Sequence, residues 1–232
     1  MFLPLYDSNP LTYVTRPYVN WALISITILV FVVFQLPAAE GQPDVLAAAF
    51  GIIPSVLFET RVLPPDLAFI PADLTLVSYA FFHGSWMHLL GNMLFLWVFG
   101  DNIEDALGHI RYLVFYLLSA AGGGYAHALF NATSEAPLIG ASGAVAGVVA
   151  AYLILHPRVK IWILALGRIP LRLSAMWVLG AWVLMQIYNL VVAVDSEVAW
   201  MAHIGGLISG AVLVLLLKRR DVALFDRGLD LS

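Results

Sequence analysis

The segment WMAHIGGLISGAVLVLLL (residues 200–217) decides what kind of protein this is. It carries no Asp, Glu, Lys or Arg, and its length suits a membrane crossing, which needs about 20 mostly apolar residues. Its one ionisable group is His203, and Gly206 and Gly210 follow at i+3 and i+7, on the same helix face. The whole chain has the same character. Of 232 residues, 62% are apolar and 11% charged, against roughly 25% charged in an average soluble domain. So little charge cannot cover a globule of this size with polar surface, which excludes a soluble fold. The net charge is −4 and no basic stripe runs along any segment, so nucleic acid is excluded as a partner. With zero cysteines, disulfides, thiolate chemistry and Cys-bound metals drop out.

Working outward, six apolar stretches read as spans: 19–36, 86–100, 112–130, 140–155, 173–192 and 200–217. The expected fold is an all-α membrane protein of one domain over 1–232. Its core covers about 19–217, with a long first loop at about 37–82 and a short tail at 218–232. The loop holds an apolar patch, 46–58, broken by Pro54; too short to cross, it reads as interfacial or re-entrant.

Lys and Arg accumulate on the cytoplasmic side of membranes. With both termini cytoplasmic, Arg16, Arg111, Arg158, Lys160, Arg168, Arg172, Lys218, Arg219, Arg220 and Arg227 lie inside, and only Arg61 lies outside. The reverse orientation inverts the split, so both termini are expected in the cytoplasm. A cleaved signal peptide at the first stretch leaves the later spans oriented the same way. Against it stand the length of that stretch and the single Arg16 before it.

Polar groups inside a membrane are costly, so each is a functional candidate. No Asp or Glu sits well inside a span, which argues against carboxylate proton relays and an aspartyl protease. The second, fourth and sixth spans enter from the outer face, and each has its polar groups within about two turns of that end. His83, His88 and Asn92 mark the second, Ser142 the fourth and His203 the sixth. At 1.5 Å per residue they share a depth of roughly 5–10 Å, as one cavity open to the outside would require. Small residues let membrane helices approach closely. If the faces carrying Gly143 and Gly147, and Gly206 and Gly210, meet, His203 is brought towards Ser142. A serine nucleophile needs that neighbour: a neutral imidazole to take its proton. His88 and Asn92, four apart on one face, and the Ser142 amide at a helix N-terminus could donate to a developing oxyanion.

These residues resemble the rhomboid family of intramembrane serine proteases. The likeness rests on Gly140-Ala141-Ser142-Gly143, on Ala202-His203 with Gly206 and Gly210, and on His83, His88 and Asn92 followed by Gly100-Asp101-Asn102-Ile103-Glu104-Asp105. It implies a six-helix bundle and a Ser142–His203 dyad, with Asn92, His88 and the Ser142 amide as oxyanion site. His83, Gly140, Gly143, Gly206 and Gly210 support it. The family cuts single-span membrane proteins near the membrane surface, with lateral entry between the second and fifth helices, and uses no metal, ATP or other cofactor. A multi-pass protein of a bacterial inner membrane is the expected setting.

Two positions depart from the pattern. Where the best-studied members place an aromatic residue four after the serine, to stack on the histidine, this chain has Ala146. Something else must orient His203, with Tyr125 and Trp200 as guesses. The Trp-Arg pair of the first loop is also missing, because Arg61 follows Thr60.

Blander readings exist for each group. Ser142 can be a packing residue bonded to its own helix, His203 a satisfied core histidine, and His88 with Asn92 a tie between helix ends. His83 can brace the first loop, and His127 reads as structural. Zinc on His83, His88 and His203 lacks the H-E-x-x-H signature and leaves Ser142 without a task. Against a six-helix transporter, this sequence has no intramembrane carboxylate and no visible inverted repeat. A non-catalytic relative that binds or escorts membrane helices is the main alternative, although such proteins usually lose the serine or the histidine.

Overall fold

The computed structural model describes residues 2–36, 45–165, 167–192 and 199–226. Strand β1 (Phe2–Asp7) leads into α1 (Tyr18–Val30), which runs on through a wide π-type turn, Phe31–Gln35. Two short helices, α2 (Val45–Phe50) and α3 (Pro54–Leu57), occupy the apolar patch of the first loop. Then come α4 (Thr75–Ser78) and α5 (Trp86–Phe95). The latter continues through a second wide turn, Leu96–Gly100, into α6 (Asp101–Leu107). The long helix α7 (His109–Phe130) and α8 (Ser142–Leu155) follow, then strands β2 (Lys160–Ala165) and β3 (Ile169–Ser174). Helices α9 (Ala175–Val192) and α10 (Trp200–Leu217) complete the bundle.

Among the described residues, four helices are long and apolar enough to cross a membrane: Tyr18–Gln35, α7, α9 and α10. The 14 residues of α8 make it shorter than that, although almost all are buried. The bundle is inverted relative to a soluble protein. On α1 the buried residues are Asn20, Leu23, Thr27, Phe31 and Gln35, a stripe along one face, while Leu29 and Phe34 are exposed. On α9, Leu184 and Val191 are more than two-thirds exposed. An apolar exterior around a partly polar interior fits a hydrocarbon surround.

The expectation of an all-α fold needs correction. The chain is mostly helical, but β1, β2 and β3 form an antiparallel sheet, with Phe2 opposite Ala165 and Lys160 opposite Ser174. The segment 160–174 is too short and too charged to span. Its alternation buries Ile161 and Ile163, and Gly167, at φ +69°, sits between the two strands. This sheet lies beyond the C-terminal end of α8, about 21 Å along that helix from Ser142.

Buried carboxylates organise that end. Glu104, fully buried, accepts from the backbone N–H groups of Val19 and Asn20, an anion at the N-terminus of α1. Asp105 accepts from the N–H groups of Thr12, Tyr13 and Val14 at 2.9, 2.6 and 2.6 Å. Asn20 in turn donates to the Leu96 carbonyl and accepts from the Tyr112 hydroxyl. The Asp7 carboxylate accepts from the Tyr152 hydroxyl at 2.5 Å.

Candidate active site

The floor of the site is made by glycines. A methyl group on Gly206 would lie 2.0 Å from the Gly143 carbonyl oxygen, and one on Gly210 would lie 2.3 Å from the Gly147 Cα. So α8 and α10 cross in backbone contact on the faces anticipated from the sequence. The third partner is α7, where a Cβ on Gly123 would meet the Ala202 carbonyl at 2.7 Å and the Gly143 Cα at 3.1 Å. Three helices this close leave little freedom for the residues at their ends, Ser142 and His203.

Ser142 is the first residue of α8, so its N–H is among those with no acceptor within the helix. The preceding turn is shaped by Gly140 at φ +127°, where an added Cβ would lie 2.5 Å from His88 Cε1. Neighbouring elements hold this turn. Gly140 N–H donates to the Tyr79 carbonyl, Ala141 N–H donates to His83 Nε2 at 3.3 Å, and Ile52 and Leu138 exchange two backbone hydrogen bonds. His83 is itself bracketed by Gln35, whose amide donates to its carbonyl and accepts from its N–H. His83 therefore braces the approach to Ser142.

His88, Asn92, Ser142 and His203 line one cavity of about 510 Å³, together with Trp182 and Val145. Asn92 is buried and spends one amide hydrogen on the His88 carbonyl at 3.1 Å, which leaves the other for a ligand. The His83 and His88 rings meet edge to face with centroids 5.0 Å apart. Among the described residues Ser142 Oγ makes no hydrogen bond to His203, although both line this cavity. Catalytic hydrogen bonds are often long before substrate binds.

Position 146 does not serve His203: Ala146 is fully buried in α8. Of the two guesses, Tyr125 packs edge-on against Phe58 instead, while the Trp200 ring stands perpendicular to that of His203 at 5.8 Å. The polar partner is Gln186 of α9, whose Oε1 lies 2.8 Å from His203 Nδ1. Sequence reasoning passed over Gln186, Gln35 and Tyr79. Gln186 did carry a signal, as a polar residue well inside an apolar stretch. Elsewhere, Arg61 pairs with Glu135 at 2.7 Å, and the His127 carbonyl accepts from Asn131. Among the described residues no three His, Asp or Glu side chains converge as a metal site requires.

A polytopic helical membrane protein with a serine and a histidine on one internal cavity is the class this architecture defines. Residues 73–220 match the model of the Rhomboid domain, and the chain belongs to the rhomboid family. It is 31% identical over 145 residues to RHOMBOID-like protein 5 of Arabidopsis thaliana, covering 62% of this chain and 44% of that protein. It is 28% identical over 214 residues to Rhomboid protein 1, mitochondrial, of Saccharomyces cerevisiae, covering 88% and 55%. With Rhomboid protease GlpG of Klebsiella pneumoniae it shares 27% over 183 residues, covering 79% and 59%. The chain thus spans about half the length of the curated relatives it matches.

Proposed function

We propose that this chain is an intramembrane serine endopeptidase that cleaves single-span membrane proteins near the outer membrane face. The observation that carries the reading is the single cavity lined by Ser142, His203, His88 and Asn92. His203 Nε2 takes the Ser142 Oγ proton as the oxygen attacks the scissile carbonyl, then delivers it to the leaving amine. The oxyanion is met by the Ser142 N–H, the free Asn92 amide hydrogen and His88; losing one such donor elsewhere costs about 10²–10³ in rate. Six crossings follow if α5 with the wide turn that extends it to Gly100, and the short, buried α8, count beside the four long helices. The charge split then puts both termini in the cytoplasm and the cavity mouth outside, in a bacterial inner membrane or one of equivalent topology.

The test is labelling of the detergent-purified protein by a fluorophosphonate, beside Ser142→Ala and His203→Ala. The expected result is labelling of the wild type that vanishes in both variants, with matching loss of cleavage of a single-span model substrate in liposomes. A folded wild type that neither labels nor cleaves overturns the reading, in favour of a protein that binds membrane helices without cutting them.

A further inference from the structure

The cavity leaves one feature of the chemistry unassigned: what decides which nitrogen of His203 carries the proton. The dyad works only if Nε2 is free to accept, so Nδ1 must hold the hydrogen. Gln186 is the group in contact with Nδ1, at 2.8 Å from its Oε1. Its amide has no freedom to present the other face, because its Nε2 donates to the Trp182 carbonyl one turn earlier, at 3.0 Å. A carbonyl oxygen only accepts, so the NH₂ must point at Trp182 and Oε1 at His203. Oε1 also only accepts; the hydrogen between it and Nδ1 therefore belongs to the imidazole.

The surroundings make this arrangement strict. Gln186 is 2% exposed and His203 8% exposed, so water is a poor substitute for either partner. On α9 the other buried residues are Ala175, Val178 and Leu179, and Gln186 is the one polar member of that set. The Trp182 ring, on the turn before Gln186, is centred 6.0 Å from that of His203. We infer that Gln186 is the positioning residue of the site. It fixes His203 as the Nδ1–H tautomer with Nε2 available to Ser142, the task left open by Ala146. This rests on the protease reading for its consequence in rate, but the tautomer itself can be read without activity.

The experiment combines ¹⁵N-histidine NMR of the whole chain in micelles with cleavage kinetics, the His203 signal being assigned by its disappearance in His203→Asn. In the wild type, Nδ1 should show the shift of a protonated nitrogen and Nε2 that of a bare one. Gln186→Met keeps the length and apolar volume but offers no comparable acceptor. It should lose the Nδ1–H preference and lower kcat about tenfold, the worth of one ordinary hydrogen bond, with KM within about twofold. Gln186→Glu should restore both, since a neutral carboxyl can donate to Trp182 and accept from Nδ1–H as the amide does. A wild-type His203 protonated at Nε2 overturns the assignment, even if Gln186→Met proves too unstable to assay. So does a folded Gln186→Met with unchanged kcat in an active enzyme. A wild type with the Nδ1–H signature but no labelling or cleavage supports the assignment and defeats only the protease reading.

Discussion

Gly206→Ala is the substitution that asks most of this architecture for the least added matter. The new methyl carbon would sit 2.0 Å from the Gly143 carbonyl oxygen, 2.8 Å from its carbon and 3.1 Å from its Cα. Ordinary contact begins near 3.4 Å, so α8 and α10 must separate by about 1.4 Å, and no side chain can swing aside because all three atoms are backbone. Overpacking of this kind typically costs about 1–3 kcal/mol. The displacement falls one residue after Ser142 and three after His203, and a shift of about 1 Å in a reacting pair can cost about 10² in rate. Gly180→Ala is the matched control: it lies on α9, nothing stands within 4 Å of its added carbon, and alanine is the better helix former by up to about 1 kcal/mol. Both variants would be compared with the wild type by thermal unfolding in micelles and by cleavage of the model substrate. Gly206→Ala should unfold earlier and cleave about 10²-fold more slowly, with Gly180→Ala unfolding at or above the wild-type temperature and cleaving at the wild-type rate. A Gly206→Ala protein with unchanged unfolding temperature and rate would refute the idea that backbone contact between these helices sets the site.

Other expectations concern the opposite end of the bundle. Burial, reinforced by the charge of Asp7, raises the Asp101 carboxyl to about 7, and burial raises Asp7 to about 6. A carboxyl raised on folding stabilises the protein fully below its unfolded value near 4, and that contribution is lost as pH rises through the folded one. The unfolding temperature should therefore fall between pH 5 and 8, and Asp101→Asn should flatten the fall; a wild type that gains stability over that range would contradict the burial of both groups. Asp105→Ala strands three N–H donors of residues 12–14 and should cost roughly 2–5 kcal/mol, while Asp105→Asn, which keeps an accepting oxygen, should cost less; chemical denaturation measures both. Asn92→Ala, read in the cleavage assay, should lower kcat by about 10²-fold and leave the fold intact, whereas an effect confined to KM would remove it from the oxyanion site.

The parts of this molecule legible in its sequence are those governed by short-range pattern. Apolar runs marked the helices, and the spacing of His203, Gly206 and Gly210 foretold the face on which α10 meets α8, because helical geometry turns spacing directly into direction. The sheet stayed hidden since its first strand, Phe2–Asp7, pairs with a hairpin some 160 residues later, and neither strand stands out to a window tuned for spans. Gln186 stayed hidden for a different reason. A glutamine in an apolar helix can satisfy itself on the preceding turn, as its bond to Trp182 does in part, and only the packed structure reveals that its other end meets His203. Glu104 and Asp105 read as polar residues trailing a span, and nothing local marks them as caps for a segment some 85–93 positions earlier.

Those caps carry a consequence for how the chain comes to be made. Glu104 follows Val19 by 85 residues. At roughly 5–20 residues per second, the first helix leaves the ribosome roughly 4–17 s before the carboxylate that caps it exists. Strand β1 waits about twice as long for Ala165. Strand β1 and the first helix are thus made well before the partners that secure them. Their final ordering requires that the chain has been made as far as β2.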